Sequence, residues 1–145
     1  HFALLMRRLN ALGSHYGELP AHDGLWEAAE ATAQNRLARL AIVPMILEAR
    51  GLDVTPLTIS RFETAGDLIS ARILDRIYQD EIIHVATGVR WFRFFCEEQR
   101  FDAAAQWRHL VQRHFKGSLK PPFNDSARNA AGLTTDFYIT LAAKG

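Results

Sequence analysis

Glu81 and His84 stand three residues apart within "QDEIIHVATGVRWF", Gln79 to Phe92. On a helix, that spacing projects a carboxylate and an imidazole from one side, about one turn apart, so both can reach a single cation. Carboxylate oxygens accept hard or borderline cations and can bridge two of them, while imidazole suits iron, manganese or zinc. A second carboxylate, Glu48, closes the stripe Leu37, Ala41, Pro44, Glu48, whose members are four, three and four residues apart. It occupies a place where an apolar side chain is expected. A buried carboxylate without a partner costs on the order of several kcal/mol, so each of these glutamates needs a cation, a proton or a matched base. The residues alone leave three readings open: a metal site, a buried hydrogen-bonded pair, or a helix rotated so that the pair faces solvent.

These side chains need elements to hold them, and the hydrophobic periodicity is helical almost throughout. Phe2, Leu5, Leu9 and Leu12 define a first helix stopped by Gly13. A loop, "GSHYGELPAHDG", follows, with Asp23 as the cap of the next helix. The pattern then runs from Leu25 to Gly51, with a break near Asn35 and a kink at Pro44. Thr55 and Pro56 start a separate short helix, and Gly66-Asp67 ends it and caps the longest helix, which runs to about Gln99. Asp102, Asn124 and Thr134 cap three further short helices, and "GSLKPPFN" is a proline-fixed loop. In the longest helix, Leu74, Ile77, Glu81, His84, Gly88, Trp91 and Phe95 step by three and four residues and define the seam expected to face the bundle. Arg72, Arg76, Gln79, Arg90, Arg93 and Glu97 carry its polar face. Nothing reads as a hairpin or a parallel sheet, so the expected fold is an all-α bundle.

Composition narrows the function. A chain of 145 residues with 48% hydrophobic content suits one domain with one core. The net charge of +1, with acids and bases interspersed, supplies no field for nucleic acid or anionic lipid, so a nucleic-acid partner is disfavoured. The longest apolar run, Leu40 to Leu47, is far short of the roughly 20 residues that cross a bilayer. Cys96 is the lone cysteine; it excludes an internal disulfide, fits a reducing, cytoplasmic setting and reads as a small core residue. Trp26, Trp91 and Trp107 are read as core packing. Glu27 and Glu30 are read as an exposed helix face, and His15, His22, His109 and His114 as structural or surface residues. No phosphate loop or nucleophile elbow is present.

Four motifs, "PAHDGLWEAAE", "LEARGLDVTP", "DEIIHVATGVRWF" and "KPPFN", resemble the uncharacterised ferritin-like family catalogued as domain-of-unknown-function family 455. The likeness spans nearly the whole chain. It implies the C-terminal part of a ferritin-like four-helix bundle with additional short helices, a single domain over 1–145 with a core over 1–100 and an extension over 101–145. Ferritin-like di-metal proteins carry two Glu-x-x-His helices and two helices giving one Glu each. By that resemblance Glu48 is the lone Glu of one helix, Glu81 with His84 is the second Glu-x-x-His, and His1 ends the first, whose glutamate and a further helix would precede the chain. The site is then cut through, with at most four of six ligands here, and this chain alone is expected to load metal poorly. Asp80 would orient His1 by hydrogen bonding; its alternative partner is Arg76, four residues earlier.

The expected function is a di-metal carboxylate protein, with iron first and manganese second, acting as an oxygen-dependent oxidoreductase on a small molecule. The alternative is a non-catalytic helical scaffold without metal. Iron storage is weaker, because it needs a shell-forming oligomer. Homo-oligomerisation is left open.

Overall fold

The computed structural model describes residues 1–142. In chain order its helices are α1 (Phe2–Ala11), α2 (Gly24–Ala31), α3 (Arg36–Ile42), a π-helical segment (Val43–Glu48), α4 (Ala49–Thr64), α5 (Leu68–Glu98), α6 (Ala103–His114), α7 (Asp125–Ala130) and α8 (Thr135–Tyr138). The fold is all-α; among the described residues the one strand-like pairing is an isolated parallel bridge between Leu119 and Ala142.

Local chemistry sets most of these boundaries. Side-chain oxygens of Asn35, Asp67, Asp102 and Asn124 accept from the backbone N–H groups of Ala38, Ser70, Ala105 and Ala127, which would otherwise be orphaned in the first turn. Asp23 and Thr134 stand at N-cap positions without making that bond. At α2 the side chain of His22 substitutes, its Nδ1 accepting from the N–H of Gly24 at 2.9 Å. Gly66, at φ +78°, turns the chain between α4 and α5 in a conformation that a Cβ would strain.

The separate short helix expected from Thr55-Pro56 does not exist, because α4 runs straight through Pro56. Pro56 removes one donor and leaves the carbonyl of Leu52 without its helical partner. The side-chain amide of Asn124 supplies the missing bond, donating to that carbonyl at 3.1 Å. Pro44 falls inside the π segment, where α5 crosses it at Gly88; a Cβ added to Gly88 would lie 2.5 Å from Cβ of Pro44. The glycine is there because the two helices approach too closely for any side chain.

The core is built from α3, the π segment, α4 and α5, and from the chain beyond residue 100, which contributes Trp107, Leu110, Leu133, Phe137 and Tyr138. Each large apolar side chain so buried is worth roughly 1.5–3 kcal/mol. The buried side of α5 is Ala71, Val85, Gly88, Val89, Phe92 and Cys96, so the expected seam is rotated. Of its seven members only Gly88 is fully buried, and His84 and Trp91 are exposed. α5 carries apolar residues on two adjacent stripes, and Val85, Val89, Phe92 and Cys96 follow the same four-and-three spacing. Trp107 is fully buried, as expected, but Trp26 and Trp91 are 67% and 45% exposed and do not pack in the core. Cys96 is buried, and Glu27 and Glu30 are exposed. His15, His22 and His109 lie on the surface, with His114 half-buried.

α1 and α2 bury none of their residues. α1 is held to α5 by its polar side chains: Arg8 donates to Ser70 Oγ and to Asp67 Oδ1, both at 2.8 Å. The hydroxyl and amide of Ser70, and after them Arg8, hold the Asp67 carboxyl down to a pKa of about 2. No described helix is long and apolar enough to cross a membrane.

Candidate metal centre

Three donor groups converge where the start of α1 meets the middle of α5. One ligand atom from each of His1, Glu81 and His84 lies within 4.8 Å of the others. His1 Nδ1 is 3.3 Å from Glu81 Oε1, and His84 Nδ1 is 3.4 Å from Glu81 Oε2. The two imidazole rings sit 5.5 Å apart, centroid to centroid. Glu81 and His84 share a face because α5 is uninterrupted there, and His1 reaches them because Arg8 fixes α1 further along the same helix.

Asp80 realises both alternatives read from the sequence. Its Oδ2 accepts from His1 Nε2 at 3.2 Å and from Arg76 Nε at 3.1 Å. With Nε2–H engaged by Asp80, a neutral His1 ring presents the lone pair of Nδ1 to Glu81. A carboxylate that fixes the tautomer of an imidazole in this way is a recurrent partner of metal-bound histidine.

The polar accounting is unbalanced at Glu81. Its Oε2 is buried and has no hydrogen-bond partner among the described residues, His84 Nδ1 lying outside hydrogen-bond geometry. The other such atom is Trp107 Nε1, a neutral donor. A carboxylate oxygen closed off from water and left without a donor is the costlier of the two. Two imidazole nitrogens and a carboxylate are a donor set that iron, manganese or zinc accepts, and an orphaned oxygen between them fits a cation.

Glu48 lies outside this three-residue cluster. It is half-buried at the end of the π segment. Its carboxyl pKa is raised, mainly by burial and further by the negative charge of Glu81, with His84 opposing. Glu48 therefore feels both members of the Glu-x-x-His pair across the helix interface. The cluster itself sits at the edge of the core, with Glu81 19% exposed and His84 50% exposed at the side chain. The sequence reading placed both in the interior, and the rotated face of α5 explains the difference.

Sequence reasoning missed a second polar centre. Asp53 and Arg128 form a buried fork-to-fork ion pair, with Nε to Oδ1 at 2.8 Å and Nη2 to Oδ2 at 2.7 Å. Asp53 also accepts from the backbone N–H of Asn124 at 3.0 Å. Arg128 lies against the rings of Phe123 and Tyr138, at 4.8 and 4.6 Å. The pair joins α4 to α7, residues 75 apart in sequence, and no local pattern announces it.

Fold and cluster together define an all-helical protein with a histidine–carboxylate centre at the junction of α1 and α5. By sequence, the chain belongs to the family described as "Protein of unknown function (DUF455)", whose model matches residues 1–139. It is 40% identical over 134 residues to a protein of Haemophilus influenzae named "Uncharacterized protein", a match covering 92% of this chain and 46% of that relative. The chain thus spans about half the length of the curated relative it matches. No solved structure matches it.

Proposed function

We propose that this chain carries part of a ferritin-like, carboxylate–histidine metal centre, with Glu81, His84 and His1 as ligands and Glu48 as a further carboxylate ligand. The proposed complement is two ions, iron before manganese, completed by residues that a longer protein would supply. The observation that carries the reading is the carboxylate of Glu81, whose buried Oε2 has no hydrogen-bond partner and faces His84 while its Oε1 faces His1. Bound ions of this kind supply Lewis acidity and redox chemistry towards dioxygen, and the reaction class proposed is oxygen-dependent oxidation of a small molecule.

The chain's own residues have separable parts in this scheme. Asp80 orients His1 through Nε2 and leaves Nδ1 free to bind. Glu81 presents one oxygen to each histidine. Glu48 is held towards its protonated form by burial and by the charge of Glu81, and a cation bound beside it would displace that proton and take the carboxylate.

A metal-free scaffold is the second reading, in which the half-exposed His84 and the contacts of His1 with Asp80 and Glu81 are polar packing at the edge of the core. Elemental analysis of protein grown with iron and manganese separates the two. Metal in the chain, and more in a longer protein that restores the rest of the relative's length, supports the centre. Metal-free protein in both cases supports the scaffold.

A further inference from the structure

Below the π segment, the loop that follows α6 closes over a cavity of about 160 Å³ that none of His1, Glu48, Glu81 and His84 lines. Most of its wall is apolar, made by Ile46 and Leu47 from the π segment and by Phe115, Leu119 and Phe123 from the loop. Three cations also line it, Arg50, Lys120 and Arg128, against a single acid, Asp53. That acid is already committed, since both of its oxygens are held by the fork of Arg128. The lining therefore carries an excess of two positive charges around an apolar hole, with Arg50 reaching only Asp53 Oδ2 at 3.4 Å.

The donors are placed as well as charged. Arg128 is 2% exposed, and while its Nε and Nη2 hold Asp53, its Nη1 donates to none of the described residues. Arg50 engages neighbours through Nη1 alone, donating to the carbonyl of Lys120 at 2.8 Å, to that of Pro122 at 3.3 Å and to Asp53 Oδ2 at 3.4 Å. Lys120 makes no ion pair among the described residues.

We infer that this cavity binds a small amphipathic carboxylate, one aromatic ring or short aliphatic chain bearing a single negative group. Size argues for one ring, since an apolar cavity of about 150 Å³ accepts benzene. The wall argues against phosphate, because a dianion would lose its water against leucine and phenylalanine without enough donors to replace it. The cations argue against a neutral ligand, whose entry would leave their field unused. The inference does not rest on the metal centre.

The test is a calorimetric and NMR titration with benzoate, benzyl alcohol and inorganic phosphate, using the unmodified protein, Lys120→Glu, Ser118→Phe and Glu81→Gln. Lys120 and Ser118 are exposed residues lining the cavity, so neither substitution disturbs the core. Benzoate is expected to bind saturably, about tenfold or more tighter than either control. Lys120→Glu should weaken it about tenfold, Ser118→Phe should block it, and Glu81→Gln should leave it unchanged. Benzoate binding no better than benzyl alcohol or phosphate would overturn the assignment, as would binding that both cavity variants leave intact.

Discussion

The side-chain amide of Asn124 donates at 3.1 Å to the carbonyl of Leu52, the one that Pro56 leaves without a helical donor. The same amide donates at 3.0 Å to the hydroxyl of Tyr78, and the Asn124 carbonyl oxygen caps α7. One residue thus lets α4 continue through a proline, and with it the helix that follows Glu48 into the α4–α5 hairpin. Asn124→Ala removes three hydrogen bonds and strands a half-buried carbonyl. The expected loss is about 2–4 kcal/mol, from roughly 1 kcal/mol per bond and the desolvated group. Urea unfolding checks it, and a loss below about 1 kcal/mol would show that α4 does not depend on this repair.

Gly88→Ala sets two effects against each other. Alanine gains about 1 kcal/mol of helix propensity over glycine. Its Cβ would meet Pro44 Cβ at 2.5 Å, a contact that only a shift of α5 against the π segment relieves. Overpacking of this kind costs roughly 1–3 kcal/mol, and the colliding atoms belong to a rigid ring, so the clash should win. A lower urea midpoint is expected, and a raised one would mean that the helices are less closely packed than described.

α1 should be the first element to loosen. It buries no residue, and Arg8 anchors it to Asp67 and Ser70. Arg8→Met should raise amide exchange in α1 at least about tenfold while leaving the middle of α5 protected, because short helices are marginal without tertiary support. Since His1 begins α1, the same change should weaken metal binding at Glu81. Unchanged exchange across Phe2–Ala11 would show that other contacts hold the helix.

Cys96 sets an alkaline limit. Burial, with a smaller push from Asp102, raises its thiol pKa from 9.0 to about 11. A group protonated more tightly in the folded state stabilises it fully below the unfolded pKa and loses that contribution as pH rises from about 9 towards 11. From pH 8 to 10 the loss should be about 1 kcal/mol. Cys96→Ala should remove that part of the slope. Tyr138, whose pKa is raised by burial and by Asp125, adds a loss of the same sign at higher pH. An identical slope in both proteins would acquit the thiol.

The helical fold was legible because caps and glycine stops are local signals. Asp67, Asp102 and Asn124 each mark a helix start that the structure keeps, and the break read near Asn35 is where a capped helix begins. Pro56 misled because its compensation comes from a residue more than sixty positions later. The face of α5 misled because two apolar stripes share one period, and which one is buried depends on where Pro44 meets Gly88. The Glu-x-x-His spacing was readable from the sequence; for Asp80, His1 by resemblance and Arg76 by spacing were alternatives, and the structure has one oxygen accepting from both. The Asp53–Arg128 fork was not readable, since a long-range ion pair leaves no periodic trace.

The metal centre is tested most directly by calorimetric titration of Mn²⁺ into the metal-free longer protein that restores the relative's length, comparing the unmodified protein with Glu81→Gln and His84→Leu. Saturable binding is expected, falling about tenfold or more in each variant, with metal-free Glu81→Gln at least as stable as the parent, because it no longer buries a partnerless carboxylate oxygen. No saturable binding to the parent, or full binding in both variants, would contradict it.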